Sequence, residues 1–214
     1  CPGCGDYGIQ NAISAVCAKK GWANEDITLI SGIGCSSRIG GYQYCYGAHT
    51  THGRALPFAQ GIKCANKDQH MIVCSGDGDS YAIGLGHAMH AIKRNMDITY
   101  LVFDNQVYGL TKGQTSPASD KGFVTKTTPD GNPLTPLDAP AMALAAGATF
   151  VAQAYAIDSK TMINVIERAV DHKGFSYVNI FTPCVTFNHL NTVQWYNEHL
   201  VKICLLYTSP SPRD

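Results

Sequence analysis

The residues best suited to chemistry are Asp77 and Asn105. They stand in two short stretches, Gly76-Asp77-Gly78-Asp79 and Asp104-Asn105-Gln106-Val107-Tyr108-Gly109. The apolar run Ile72, Val73, Cys74 leads into the first and Ile98 to Phe103 into the second. Between them, Tyr81 to Ile92 has helical periodicity. A right-handed β-α-β crossover predicts that the two turns meet at the carboxyl ends of neighbouring parallel strands. The Asp77 carboxylate and the Asn105 amide are hard oxygen ligands. With a backbone carbonyl they suit Mg²⁺ shared with a diphosphate. Gly76 and Gly78 predict close backbone approach to that anion, and the amides opening the helix after Asp79 point at it. The plainer alternative is a β-α-β unit with Asp77 capping a helix and Asn105 in a turn.

Sulfur is the second set. The chain has nine cysteines. An odd count without a secretory signal argues against a disulfide framework and favours metal or cluster ligation. Cys1-Pro-Gly-Cys4-Gly5 is compatible with a redox dithiol, half of a zinc site, or two ligands of an iron–sulfur cluster. Cys35 falls just after a strand expected over Ile27 to Ser31, in Gly32-Ile33-Gly34-Cys35-Ser36-Ser37-Arg38. A dinucleotide fingerprint needs glycine where Ser37 stands and an acidic residue further on, so a nicotinamide site is rejected. The turn instead presents Cys35 as a third thiolate, with Ser36 and Ser37 near a cofactor. Cys184 lies in Thr182-Pro183-Cys184, again after a strand. Cys17, Cys64 and Cys74 read as buried thiols. Polar candidates are His52 and His49 in the glycine- and tyrosine-rich loop from Gly40 to Gly53, and Lys112 in an irregular loop after Asn105, placed to meet an anion. For His49 a satisfied surface imidazole is the favoured reading.

The elements that must position these groups alternate between strand and helix. After Asp6, a candidate cap, a helix carries Ile9, Ala12, Ile13, Val16 and Cys17 on one face. A helix from Arg54 to Ala65 has Arg54, Ala55 and Gln60 near its polar side. Beyond a polar surface excursion over 118–136 come a helix from Leu137 to Gly147, a strand Phe150 to Ala154, a helix Ser159 to His172, a strand Tyr177 to Phe181 and a helix Thr192 to Leu200. This predicts an α/β doubly wound fold, a mainly parallel sheet with helices on both faces. Cys35, Asp77, Asn105 and Cys184 then share the edge where such folds bind ligands.

The 214 residues suffice for one domain with a substantial core, and 45% hydrophobic against 15% charged residues suits a well-buried one. Zero formal net charge gives no reason to expect nucleic acid or an anionic membrane, and no apolar run approaches a span of ~20 residues. A cytoplasmic protein is expected. The chain starts at Cys1 without Met and reads as truncated. Residues 204–214 shift abruptly in composition and match the translation of a sequencing adapter, so the domain is placed at 1–203 and the fragment is expected to stop inside the true protein near Ile203.

The stretch from Gly76 to Asn105 resembles the thiamine diphosphate motif: Gly-Asp-Gly, an interval of somewhat under thirty residues, then Asn. That resemblance implies Mg²⁺ on Asp77, Asn105 and the main-chain oxygen of Val107. Cys-Pro-Gly-Cys-Gly, Gly-Ile-Gly-Cys-Ser, His-Thr-Thr-His-Gly-Arg, Gly-Asp-Gly-Asp, Asp-Asn-Gln-Val-Tyr-Gly-Leu-Thr-Lys-Gly-Gln and Thr-Pro-Cys together make the chain similar to the β subunit of 2-oxoacid:ferredoxin oxidoreductases over 1–203. This wider resemblance implies a [4Fe–4S] cluster on Cys1, Cys4, Cys35 and Cys184. It places the diphosphate over Gly78 and Asp79, with Gly76, Ser36, Ser37, Gly109, Leu110 and Thr111 around the cofactor. His52 is implied on the cofactor side, and Lys112 beside the substrate carboxylate. It also implies CoA-dependent oxidative decarboxylation of a 2-oxoacid, 2-oxoglutarate or pyruvate, with electrons passed to ferredoxin. In that family the activating glutamate comes from the pyrimidine-binding domain of a partner α subunit. Glu25, Glu167 and Glu198 read as surface positions, so the chain alone is expected to be inactive. Two alternatives are a cluster-free thiamine diphosphate decarboxylase or synthase, and a zinc-stabilised α/β binding protein.

Overall fold

The computed structural model describes residues 1–203 together with Tyr207 and Thr208. The rest of the segment expected to be adapter-encoded lies outside the described residues. Six strands form one parallel sheet: β1 (Ile27–Ser31), β2 (Tyr46–His49), β3 (His70–Gly76), β4 (Ile98–Asp104), β7 (Phe150–Tyr155) and β8 (Phe175–Phe181), in the order β2-β1-β3-β4-β8-β7. A two-residue strand, β9 (Tyr207–Thr208), pairs antiparallel with β7. A small hairpin, β5 (Val107–Tyr108) with β6 (Gln114–Thr115), stands apart from the sheet.

The central strands are buried on both faces, which is why they read as continuous apolar runs. On one face α1 (Asp6–Lys20) and α5 (Ser159–Asp171) pack over Leu29, Ile72, Leu101, Phe103, Val178 and Ile180. On the other, α2 (Ala55–Ala65), α3 (Leu85–Arg94) and α4 (Ala139–Ala145) cover Ile30, Met71, Val73, Tyr100, Val102 and Tyr177. Successive residues such as Leu29 and Ile30 thus feed opposite cores, and the doubly wound expectation holds. The short helix α6 (Val193–His199) follows, capped by the Thr192 side chain.

Several local expectations change. The first residue of α1 is Asp6, but it makes no side-chain cap; it accepts a hydrogen bond from Thr182 Oγ1 at 3.3 Å, tying the helix start to the end of β8. The loop from Gly40 to Gly53 contains the edge strand β2. Its one flank faces solvent and its residues do not alternate in polarity, so no period revealed it. Gly47 is needed there because a Cβ would lie 2.6 Å from the Leu29 carbonyl. The segment after Asn105, expected to be irregular, forms the β5–β6 hairpin. The expected helix from Tyr81 is broken. One π-type turn over Asp79–Ile83 ends at Gly84, and α3 begins after it. Gly84 lies under Gly53, whose own Cβ would fall 2.7 Å from the Gly84 nitrogen, so two glycines let the His52 loop settle onto that turn. In α2, Ala55 and Gln60 are buried instead of facing solvent, and Gln60 accepts from Arg94. Cys64 is exposed, whereas Cys17 and Cys74 are buried.

Candidate cofactor site

Register brings the two turns together. Gly76 pairs with Phe103 across β3 and β4, and Asp104 pairs with Phe181 across β4 and β8. Asp77 and Asn105 therefore leave adjacent parallel strands at one edge. Tyr108 closes the gap: its hydroxyl donates to the Gly78 carbonyl at 3.1 Å, and a Cβ on Gly78 would lie 2.6 Å from Tyr108 Cζ. Gly78 has an ordinary helical φ of −65°. Its missing side chain makes room for the tyrosine ring. The Asn105 Oδ1 accepts from the Val107 N–H at 3.1 Å, and its carbonyl accepts from Asn188 Nδ2 at 3.1 Å.

The Asp77 carboxylate is 2% exposed. Burial, and then the Asp104 carboxylate nearby, push its carboxyl well above the usual range; the Ser116 hydroxyl and the N–H groups of Asp77 and Gly78 pull the other way. Asp104 is raised too, by burial, against the hydrogen bond it receives from Asn179 Nδ2 at 3.0 Å. Two desolvated carboxylates at one strand edge are relieved by a proton or by a bound cation. The donor set fits a hard divalent ion beside a diphosphate: a carboxylate, an amide oxygen and the Val107 carbonyl. Behind it, Tyr81 OH meets Tyr177 OH and Asn179 Oδ1, each at 2.5 Å, in a buried network that stiffens the edge.

Asp79 braces the turn from its buried side. Its carboxylate, 3% exposed, accepts from Ile33 N at 3.1 Å and Gly53 N at 2.7 Å, and pairs with His52 Nδ1 at 2.5 Å. It ties the turn after β1 and the His52 loop to the turn after β3. His52 is thereby fixed through Nδ1, leaving Nε2 free of this pairing. Ser36 Oγ lies where a Cβ on Gly76 would come within 3.1 Å, beside the start of this turn, and the buried Ser37 Oγ has no hydrogen-bond partner among the described residues. His49 sits on the edge strand against Ser31 Oγ at 3.1 Å, as a surface imidazole.

The sulfurs gather beside the same hairpin. A Cβ on Gly109 would lie 3.4 Å from Cys35 Sγ and 3.8 Å from Cys184 Sγ. Gly5 abuts Pro183, and Gly3, with φ of +80°, faces Val185, so the Cys1–Cys4 loop rests on the segment carrying Cys184. Burial, followed by Asp6, pushes the Cys4 thiol up to about 11, and burial raises Cys35 as well. Among the described residues no three His, Cys, Asp or Glu side chains close around a single metal ion.

Leu110 and Lys112 are exposed on the hairpin tip, and Lys112 has a left-handed backbone, φ +79°. Thr111 Oγ1 donates to Gln114 Oε1 within the tip. Ser116, Ser119, Gln106, Tyr108, Asp104 and Asn188 all shape the site, and the sequence reading assigned none of them a role. Only the left-handed Gln106, φ +59°, belongs to a recognisable turn signal; the serines act through tertiary contacts that no spacing encodes.

The fold and this edge define a thiamine diphosphate-binding domain. Residues 32–180 match the thiamine pyrophosphate enzyme C-terminal TPP binding domain, and residues 184–207 match the C-terminal family of the pyruvate ferredoxin oxidoreductase beta subunit. The 2-oxoacid:ferredoxin oxidoreductase subunit beta of Saccharolobus solfataricus is 42% identical over 95% of this chain and 67% of its own length. The 2-oxoglutarate oxidoreductase subunit KorB of Mycobacterium tuberculosis is 46% identical over 88% of this chain and 50% of its own. A 2-oxoglutarate:ferredoxin oxidoreductase structure from Magnetococcus marinus, solved with 2-oxoglutarate, coenzyme A and succinyl-CoA bound, superposes with a TM-score of 0.91 at 44% identity, covering 92% of this chain and 68% of that one. The chain belongs to the β-subunit family of 2-oxoacid:ferredoxin oxidoreductases. It spans from half to about two-thirds of the length of these relatives.

Proposed function

We propose that this chain is the cofactor-bearing part of an enzyme converting a 2-oxoacid, coenzyme A and two oxidised ferredoxins to acyl-CoA, CO₂, a proton and two reduced ferredoxins. The observation that carries this reading is the position of the Asn105–Gly109 turn. One flank is latched to Gly78 through Tyr108, and the other meets the sulfurs of Cys35 and Cys184 at Gly109. When bound, thiamine diphosphate supplies a nucleophilic carbon and an electron sink, and a [4Fe–4S] cluster takes electrons singly.

In this reading residues 1–203 form one cofactor-binding domain. Asp77, Asn105 and the Val107 carbonyl hold Mg²⁺, and Cys1, Cys4, Cys35 and Cys184 hold the cluster. Ser36, Ser37, Gly76, Gly78 and Gly109 line the cofactor, with Leu110 and Thr111 at the rim. Asp79 orients His52 toward the reacting centre, and Lys112 attracts the substrate carboxylate. Glu25 precedes β1 at the far end of the sheet, Glu198 is exposed on α6, and Glu167 pairs with Lys19 at 2.7 Å. The activating glutamate therefore comes from a partner α subunit, and the chain is inactive alone. The cytoplasm, where ferredoxin and coenzyme A are at hand, is its compartment. The ligands bound in the Magnetococcus marinus structure make 2-oxoglutarate the first substrate to test and pyruvate the second.

In the assembled enzyme, Asp77→Ala is expected to leave no bound thiamine diphosphate after denaturation and fluorescence assay; normal occupancy refutes the metal assignment. Anaerobic purification should give a brown protein that is EPR-active after dithionite. A colourless protein that still binds thiamine diphosphate would establish the cluster-free decarboxylase instead, and a colourless one carrying zinc the binding protein.

A further inference from the structure

Two serines outside every motif connect both arms of the metal-binding edge. The Ser116 hydroxyl donates to Asp77 Oδ2 and accepts from Ala118 N at 3.2 Å. The Ser116 N–H donates to Ser119 Oγ at 2.8 Å, and Ser119 Oγ donates to the Gln106 carbonyl at 2.5 Å. The Gln106 carbonyl has no proton to give, which fixes Ser119 as the donor there, and Ser116 donates to Asp77 when the carboxylate is ionised, as it is when it holds a cation. Ser116 and Ser119 are 6% and 1% exposed. Asn132 Nδ2 secures the turn from behind, through the Ser119 carbonyl at 3.0 Å. Gln106 holds a left-handed backbone between Asn105 and Val107, a conformation that needs outside support in a residue with a side chain.

We propose that Ser116 and Ser119 are a positioning latch for the metal site. Ser116 occupies one carboxylate oxygen of Asp77 and keeps the other turned to the ion. Ser119 pins the Gln106 carbonyl, and with it the left-handed turn that sets Asn105 and the Val107 oxygen at their angle. The latch makes the two arms one rigid unit, which a site demanding near-octahedral geometry requires. It rests on the reading that Asp77, Asn105 and Val107 bind Mg²⁺.

The test uses the full-length chain in complex with its partner subunit, stripped with EDTA. Mg²⁺ is titrated at saturating thiamine diphosphate and binding is read by quenching of intrinsic fluorescence; the melting temperature of the metal-free protein is measured alongside. Removing an outer-shell partner typically costs ~10–100-fold in metal affinity. Ser116→Ala should raise the Mg²⁺ requirement at least about tenfold, Ser119→Ala should raise it less, and Ser116→Thr should restore most of the loss. The metal-free melting temperature should fall by no more than the roughly 2–4 °C that one lost hydrogen bond of about 1 kcal/mol costs in a chain of this size. A wild-type Mg²⁺ requirement in Ser116→Ala, with Asp77→Asn unable to bind, overturns the latch while the metal assignment stands. Unchanged Mg²⁺-dependent binding in Asp77→Asn overturns both. A loss in Ser116→Ala matched by an equal fall in metal-free stability assigns the serine to folding alone and also overturns the latch.

Discussion

Gly78 is a residue whose need for glycine is purely one of space, which makes Gly78→Ala a sharp probe of how the two turns are joined. At φ −65° alanine meets no backbone strain. Its methyl would lie 2.6 Å from Tyr108 Cζ and 2.7 Å from Cδ1. The ring must leave, and the bond from Tyr108 OH to the Gly78 carbonyl goes with it. Overpacking costs about 1–3 kcal/mol and the hydrogen bond about 1 kcal/mol. A stiffer unfolded chain offsets about 0.4–1 kcal/mol. The net loss of about 1–3 kcal/mol lowers the melting temperature by roughly 2–12 °C in a chain of this size. Calorimetry on Gly78→Ala, Tyr108→Ala and the double variant is the assay. If the ring is the obstacle, the double variant should be less destabilised than the sum of the singles by about 1 kcal/mol or more. Strictly additive losses, or a Gly78→Ala protein that melts with the wild type, would show that Tyr108 does not clasp the turn.

Gly32→Ala should lower stability by about 2–4 kcal/mol in urea unfolding, because its Cβ would lie 2.6 Å from Asp79 Cγ and eject the carboxylate from the N–H groups of Ile33 and Gly53. In an Asp79→Ala background the same change should add little. His172 gives a pH signature. Thr149 Oγ1 donates to Asn95 Oδ1, so His172 Nε2 donates to Thr149 at 2.7 Å, and burial holds the imidazole below its usual range against a weaker pull from Asp97. The unfolded state then binds the proton more readily, so the stability contributed is complete above pH ~6.5 and lost as pH falls toward the depressed folded value. Urea melts at pH 7.5 and 5.0 should show a smaller acid loss in His172→Gln; an equal loss in both proteins removes His172 from the account.

The sheet was legible in the sequence because its strands are buried on both sides. Ile27–Ser31 and Ile98–Asp104 are mostly apolar and buried from end to end, and glycine or aspartate stops them at the carboxyl edge of the sheet. The positions of Asp77, Asn105, Cys35 and Cys184 followed from that punctuation. What escaped was contact at a distance. Asp79 sits within the same signature as Asp77, yet it turns to Ile33 and Gly53, residues 46 and 26 positions away. Among the described residues, edge strand β2 pairs with β1 alone, and it shows no alternation. The broken helix after Asp79 depends on Gly53 meeting Gly84, which neither segment announces.

The distribution of unsatisfied polarity locates the working edge independently of any motif. Among the described residues, the buried side-chain atoms without a partner are Ser37 Oγ, Asp79 Oδ2, Asp104 Oδ1, Gln106 Oε1, Tyr155 OH and Tyr196 OH. Each of the first four lies at or just beyond the carboxyl end of β1, β3 or β4. Tyr155 is the last residue of β7, and Tyr196 packs against it at 5.2 Å and against Phe181, the last residue of β8, at 5.7 Å. None falls in the body of the sheet or at its amino edge. Leaving a polar group buried and unpaired costs about 1–3 kcal/mol. Random imperfection would scatter that cost through both cores. Its confinement to one edge, beside two desolvated carboxylates and two converging sulfurs, supports the proposal that this edge takes up a cofactor and its cation.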